Sequence, residues 1–305
     1  MPELPEVQTT ATSLTPLLNQ TVTNVYIFQP KLRFGVPDDL DRLQGLDLVN
    51  IKRRAKYLIL TFSQSNIEKH LLIHLGMSGS LQQHPIGTQK RKHDHVIIEF
   101  GNTQLHYHDP RRFGMILWLD DYQHKLIDHL GVEPLDDDFN ADYLYRLIHA
   151  RKHPMTRPIK AVIMEQSVVV GVGNIYATES LFLSGIHPLT PANQLSPSQL
   201  ASLVGFIKQV LTISIQKGGS TLRDFTVADG KMGYFQQTLN VYGKKNAPCP
   251  SCGTAIETVK IAQRASSYCP TCQPLLPLAD LTHVPTKAKN LKKANDTTAN
   301  LKNLR

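Results

Sequence analysis

Apolar positions follow two different periods along the 305-residue chain. Up to about residue 134 they fall in short runs, such as Leu58-Ile59-Leu60-Thr61-Phe62, Leu71-Leu72-Ile73 and His95-Val96-Ile97-Ile98-Glu99-Phe100. Gly, Pro and Asp break these runs, which is the punctuation of a strand-rich region. One helix, about Pro5 to Leu18, is expected ahead of them. From about 135 to 240 the spacing turns helical. The clearest helix opens at Ser196-Pro197-Ser198-Gln199, a capping box with proline at the first helical position, and stops at Gly218-Gly219. Residues 241–273 hold all four cysteines. The remainder, 274–305, carries five lysines and few large apolar groups after Leu281, so it is predicted not to order itself.

Composition changes this picture in three ways. With 33 Lys+Arg against 25 Asp+Glu the net charge is +8, which suggests a polyanionic partner, nucleic acid being the commonest; a solvated cationic surface is the alternative. No run of about 18 apolar residues stands out, so no membrane span is expected. Met1-Pro2-Glu3-Leu4-Pro5-Glu6 places acids and prolines where an export signal would carry basic and then apolar residues, so a cytoplasmic protein is expected.

In that reducing compartment four cysteines favour metal over disulfides. Cys249-Pro250-Ser251-Cys252 and Cys269-Pro270-Thr271-Cys272 are two C-x2-C knuckles separated by sixteen residues, the spacing of a four-cysteine Zn2+ site on a β-hairpin. Four thiolates leave no open position on the ion, so one structural zinc is expected. The intervening Val259-Lys260-Ile261-Ala262-Gln263-Arg264 reads as a basic hairpin. Its Arg264 either meets a phosphate or groove at the tip or is a plain solvated side chain.

The N-terminus carries a second kind of chemistry. The small Pro2 predicts removal of Met1, which leaves a secondary amine with a pKa of about 8, partly unprotonated and nucleophilic near neutrality. Pro5 suits a first helical turn, and Glu3 and Glu6, three apart, then share a face beside the amine. Such carboxylates either shuttle protons in an imine-forming reaction or simply complement the helix dipole.

The segment Pro2-Glu3-Leu4-Pro5-Glu6-Val7 resembles the opening of the formamidopyrimidine-DNA glycosylases, bacterial 8-oxoguanine repair enzymes. Further matches follow in family order: Arg53-Arg54-Ala55-Lys56-Tyr57-Leu58, His74-Leu75-Gly76-Met77-Ser78-Gly79, Lys92-His93-Asp94-His95, Asp109-Pro110-Arg111-Arg112-Phe113-Gly114 and Gly171-Val172-Gly173-Asn174-Ile175-Tyr176-Ala177, with the cysteine module last. The resemblance covers roughly residues 1 to 273. It implies an α+β fold: an N-terminal catalytic β-sandwich with its helix (1–134), a helix-two-turn-helix domain (135–240) and a zinc-finger hairpin (241–273). It also implies a monomer that finds damaged bases or abasic sites in double-stranded DNA, associated with the nucleoid when bound, and uses no redox or nucleotide cofactor.

Roles follow residue by residue. The resemblance makes Pro2 the nucleophile that forms a Schiff base, Glu3 the proton donor, and Glu6 either a second proton carrier or an organiser of the helix. Lys52, Arg54 and Lys56 are expected on one face of a strand continuing through Leu58 and Leu60, with Lys56 as a clamp near the reacting sugar. His74, His93, Asn174 and Arg264 are expected on phosphate or DNA. For His74 plain packing, and for Asn174 helix capping, remain alternatives. Met77 and Phe113 are candidate wedges for the hole left by an extruded base, Arg111 a partner for the orphaned cytosine, and Thr226 to Gly233 a covering loop. Met77 as gap-filler and Phe113 as core anchor are the competing readings. Two functional alternatives stay open: an endonuclease VIII-like glycosylase for oxidised pyrimidines, and a catalytically silent zinc-dependent damage-binding protein. The lysines of the tail can add salt-sensitive affinity but carry none of these motifs. A chain ending at Gln273 should therefore excise lesions at the full-length rate, and loss of excision on truncation would refute this.

Overall fold

The computed structural model describes residues 2–119, 125–150, 153–219 and 239–275. The loop expected at 226–233 and the tail beyond 275 lie outside the described residues. The fold is α+β, with a strand-rich first part, a helical second part and a cysteine hairpin.

The first helix, α1 (Leu4–Ser13), is shorter than the sequence suggested. Pro16 offers no amide hydrogen to an α-helix, and the chain tightens into a 3-10 turn over Thr15–Leu17 instead. Eight antiparallel strands follow: β1 (Val22–Ile27), β2 (Asp47–Arg54), β3 (Tyr57–Gln64), β4 (Ile67–His74), β5 (Ser80–Pro85), β6 (Asp94–Phe100), β7 (Thr103–His108) and β8 (Met115–Trp118). They form two four-stranded sheets, ordered β1-β6-β7-β5 and β2-β3-β4-β8. Between the sheets lie Leu58, Leu60, Phe62, Leu71, Ile73, Val96, Ile98, Phe100, Leu105 and Tyr107. On the other face of β3 and β4, Ile59 and Leu72 pack with Leu119 and Ile127. Burial on both faces explains why these two strands read as continuous apolar runs rather than as alternation.

One strand expectation is corrected. Lys52, Arg54 and Lys56 do not share a continuous strand, because β2 ends at Arg54, pairs with Tyr57, and reverses through the two-residue turn Ala55-Lys56. Ala55 adopts φ +54°, a turn conformation that breaks the period-two pattern. Arg54 therefore turns away from Lys56. With Arg53 it grips Glu133 (Nη1 to Oε1 3.0 Å and Nη1 to Oε2 2.7 Å), whose Oε1 also accepts the Ala55 amide at 2.7 Å. Glu133 thus fastens the turn that presents Lys56.

The helical part comprises α2 (Ala141–His149), α3 (Ile159–Ile163), α4 (Asn174–Leu183) and α5 (Pro197–Gln216). Ser196 caps α5 as its sequence implies, and the helix ends before Gly218 and Gly219, both at positive φ. By length and composition α5 is apolar enough to cross a membrane, contrary to the expectation that the chain holds no such segment. Its Leu200, Leu203, Val204, Ile207, Val210 and Leu211 are buried in the core of the helical part, so packing accounts for that stripe. Helix α1 packs on both β2 and α5 and so joins the two parts. The hairpin β9 (Glu257–Ile261) and β10 (Arg264–Tyr268) packs on α4.

Glu133→Gln removes the charge facing two guanidiniums that are only 10% and 26% exposed. Unfolding in urea should show a loss of about 2 kcal/mol, less than for a fully buried pair because Arg54 keeps some water. An unchanged midpoint would show that Glu133 does not fasten the turn.

Candidate active site at the N-terminus

Pro2, Glu3 and Glu6 are all buried at the start of α1. Glu3 is the N-cap, Pro5 lies in the first turn, and Glu6 Oε2 accepts the Glu3 amide hydrogen at 2.8 Å. The Glu3 carboxylate reaches across to the helical part, accepting from the amides of Gly173 (2.9 Å) and Ile175 (3.1 Å) at the start of α4. It complements the dipole of α4 while also forming a capping box with Glu6 on its own helix. The glycines of the 171–173 segment are sized for this contact. A Cβ on Gly173 would lie 2.3 Å from the Glu3 carboxyl carbon, and one on Gly171, at φ +76°, 2.5 Å from the Leu4 side chain.

Burial raises the pKa of Glu3; Lys56 nearby works against that rise and Glu6 adds to it. Burial likewise lowers Lys56, which Glu3 opposes and Arg264 reinforces. A carboxyl that holds its proton more readily and an amine that loses one more readily therefore sit within each other's electrostatic reach, away from bulk water.

A cleft of about 270 Å³ opens beside them, lined by Arg33, Lys56, Tyr57, His74, Gly173 and Arg264 among others. Burial, helped by Lys56 and Arg33, pushes His74 down to about 4, so it is neutral near pH 7. Its Nδ1 accepts the Gly76 amide at 2.9 Å, which leaves the hydrogen on Nε2 as a donor. Arg264 follows the tight Ala262-Gln263 turn, both residues at positive φ, and is an exposed side chain that lines the cleft. Arg33 belongs to this set but was missed from sequence, since an isolated arginine in a loop carries no motif.

Asn174 is not the cap: Gly173 is, and the Asn174 amide is turned elsewhere. Its Nδ2 donates to Ala265 O (3.1 Å) and its Oδ1 accepts from Lys160 Nζ (2.8 Å). Lys160, 0% exposed, also donates to Thr178 Oγ1 and Ser266 Oγ, each at 2.7 Å. It therefore ties α3, α4 and the cysteine hairpin together. Burial pushes it down to about 7. Sequence reasoning missed Lys160 because nothing in Pro158-Ile159-Lys160-Ala161 distinguishes a buried lysine from a surface one.

Met77 (40% exposed) and Phe113 (46%) are neither gap-filler nor core anchor. They stand on two loops in close contact: a Cβ on Gly76, at φ +63°, would meet the Gly114 nitrogen at 2.4 Å. Buried Asp109 links the loops, accepting from Ser78 Oγ (2.8 Å) and the Gly114 amide (2.9 Å). Arg111 is exposed beside them, its guanidinium 4.8 Å from the Phe113 ring centre. His93 is half-buried outside the cleft, edge-on to the His95 and His108 rings, and its carbonyl accepts the Asp109 amide at 3.0 Å.

The sulfurs of Cys249, Cys252, Cys269 and Cys272 all lie within 4.8 Å of one another, with Cys252 to Cys269 at 3.4 Å and Cys249 to Cys272 at 3.9 Å. Zn–S bonds of about 2.3 Å in a tetrahedron set sulfurs roughly 3.8 Å apart, so the four residues fit one zinc ion.

Comparison with known proteins bears on all three parts. Residues 1–116 match the formamidopyrimidine-DNA glycosylase N-terminal domain, 130–226 the formamidopyrimidine-DNA glycosylase H2TH domain, and 247–275 a zinc finger found in FPG and IleRS. A formamidopyrimidine-DNA glycosylase from Psychrobacter arcticus is 57% identical, covering 90% of this chain and 99% of the relative. A solved complex of a Lactococcus lactis FPG variant with Fapy-dG containing DNA superposes with a TM-score of 0.81 at 34% identity, over 90% of this chain and 100% of that one. The Lactococcus lactis Fpg complex with abasic-site DNA gives 0.80 at the same identity and coverage.

Lys160 yields a pH prediction. The unfolded chain keeps this proton up to about 10.5, whereas the folded chain releases it at about 7. Between those values the unfolded state binds more protons, so stability rises with pH across the window and the cost of burial is fully present below it. Lys160→Met should flatten that rise in denaturant titrations from pH 7 to 10; an unchanged slope would mean that Lys160 stays charged when folded.

Proposed function

The chain belongs to the formamidopyrimidine-DNA glycosylase family, and from that premise we propose that it is a bifunctional DNA glycosylase and abasic-site lyase of base excision repair. It acts as a monomer in the bacterial cytoplasm, on nucleoid DNA, and removes 8-oxoguanine and ring-opened formamidopyrimidines from the duplex. The observation that carries this reading is the Glu3 carboxyl held by the amides of α4, one residue from Pro2 and beside a cationic cleft that Lys56 lines. In this reading residues 1–134 supply the chemistry, and 135–240 with 241–273 grip the DNA.

Removal of Met1 frees the Pro2 nitrogen. With the damaged nucleotide flipped out, that nitrogen bonds to the sugar C1′, and the bond from C1′ to the base breaks. The electron pair leaves with the base, which takes a proton supplied by Glu3, the group that burial keeps protonatable. Opening of the sugar ring transfers a proton to O4′ and leaves a Schiff base between Pro2 and C1′. Loss of a C2′ proton then expels the 3′ phosphate, and a second elimination expels the 5′ phosphate. Water finally hydrolyses the imine and restores the proline.

Lys56, His74, Asn174 and Arg264 bind phosphates around the flipped nucleotide, with His74 donating from Nε2. His93 contacts the strand near the wedge loops. Met77 and Phe113 fill the vacated stack while Arg111 pairs with the orphaned base; exposed apolar side chains on braced loops suit that task. Zinc held by the four cysteines fixes the hairpin that carries Arg264, and its ligand set is full, so it supplies structure rather than reactivity.

Excision kinetics on duplexes carrying 8-oxoguanine, a ring-opened purine or an oxidised pyrimidine, combined with borohydride reduction and mass spectrometry, test this reading. The adduct should map to a Pro2 N-terminus, the purine lesions should be preferred, and Pro2→Gly should be impaired. Glu3→Gln should slow base release by roughly 100-fold or more yet still be trapped on abasic DNA, where no base has to depart. An adduct on a lysine, or a retained Met1, would overturn the mechanism.

A further inference from the structure

Tyr176 and Ser214 are fully buried behind the N-terminal site, and the chemistry above uses neither. Tyr176 projects from α4 and its hydroxyl donates to Glu6 Oε1 at 2.6 Å. Ser214, from the last turns of α5, lies 2.7 Å from the same phenol oxygen. The phenol hydrogen is committed to the carboxylate, so Ser214 donates to the phenol. The other oxygen of Glu6 accepts the amide hydrogen of Glu3. An unbroken line of hydrogen bonds therefore runs from α5 through α4 to the backbone immediately after Pro2. Burial and the adjoining Glu6 carboxylate hold the Tyr176 pKa well above its ordinary value, so the phenol stays a donor. Two helices of the helical part thus set the orientation of a carboxylate that belongs to α1.

We propose that Tyr176, backed by Ser214, is a positioning residue for base excision: it orients Glu6, and through Glu6 the Glu3 amide and the Pro2 nitrogen. This rests on the reading of Pro2 as nucleophile. Both side chains are fully buried, so their loss should change the reactive geometry at the sugar and leave lesion binding intact. Small misplacements of a nucleophile are costly to rate in a way that binding does not register.

The test is single-turnover excision of 8-oxoguanine by the full chain at saturating enzyme, alongside lesion-DNA affinity and thermal melting, for wild type, Tyr176→Phe, Glu6→Gln and the double variant. Tyr176→Phe should slow excision about tenfold and leave affinity within about twofold. The double variant should be no more than about twofold slower than Glu6→Gln alone, because both substitutions break one line. Ser214→Ala should act in the same direction, about threefold, and decides the matter if Tyr176→Phe fails to fold. A saturated rate for Tyr176→Phe within twofold of wild type, a loss confined to affinity or melting temperature, or independent effects of the two substitutions would each overturn the proposal. Failure of wild type to give a borohydride-trapped Pro2 adduct would instead overturn the nucleophile reading, and this inference with it. A trapped wild-type adduct with an unaffected Tyr176→Phe overturns this inference alone.

Discussion

The carboxylate of Glu3, seated on the amide hydrogens of Gly173 and Ile175, joins groups 170 and more residues apart in the chain. The start of a helix has unpaired N–H groups and a partial positive charge, and an anion placed there satisfies both. In this chain the anion comes from the first residues of a different structural part. The contact closes the strand-rich and helical parts on each other and locates the N-terminus with respect to the cleft. The bare glycines at 171 and 173 are its steric condition, since a methyl group at either would displace Leu4 or Glu3.

Around that contact the structure concentrates charge out of water. Lys56 and Glu3 each suffer desolvation, and each offsets part of the other's cost, which leaves both closer to gaining or losing a proton than they would be at the surface. Arg33 and Arg264 line the cleft with guanidinium groups and bias it toward anions. His74, made neutral by the same burial, contributes a directed hydrogen instead of a charge. Lys160 is held by three neutral oxygens with no carboxylate among the three, so it acts as a cross-brace between α4 and the cysteine hairpin.

Rigid support also governs the exposed groups. Asp109 braces the loops carrying Met77, Arg111 and Phe113, so these side chains project into solvent without the loops collapsing onto the core. The cysteine hairpin has a small apolar core of Phe182, Val241, Cys249, Ile256 and Cys269. A module of that size needs a metal to hold its shape, and the four sulfurs are spaced for one.

Much of this was legible in the chain itself. The change from strand to helix period, the capping box at Ser196, the two cysteine knuckles and the ordered motifs from Pro2 to Ala177 identify the class of fold, the metal and the family, because each is encoded within a few neighbouring residues. Local reading erred where a turn interrupted the period, at Ala55-Lys56, and where Pro16 cut a helix short. It could not foresee that Glu3 caps α4, that Arg54 serves Glu133, that Lys160 is buried, or that Tyr176 meets Glu6. Those facts arise when distant segments exclude water together, and the strength of a hydrogen bond or the pKa of a carboxyl is set by the neighbours that remain once water has gone. The sequence by itself determined which groups are present and which local shapes they favour; the tertiary structure alone decided which of them meet in the dry interior.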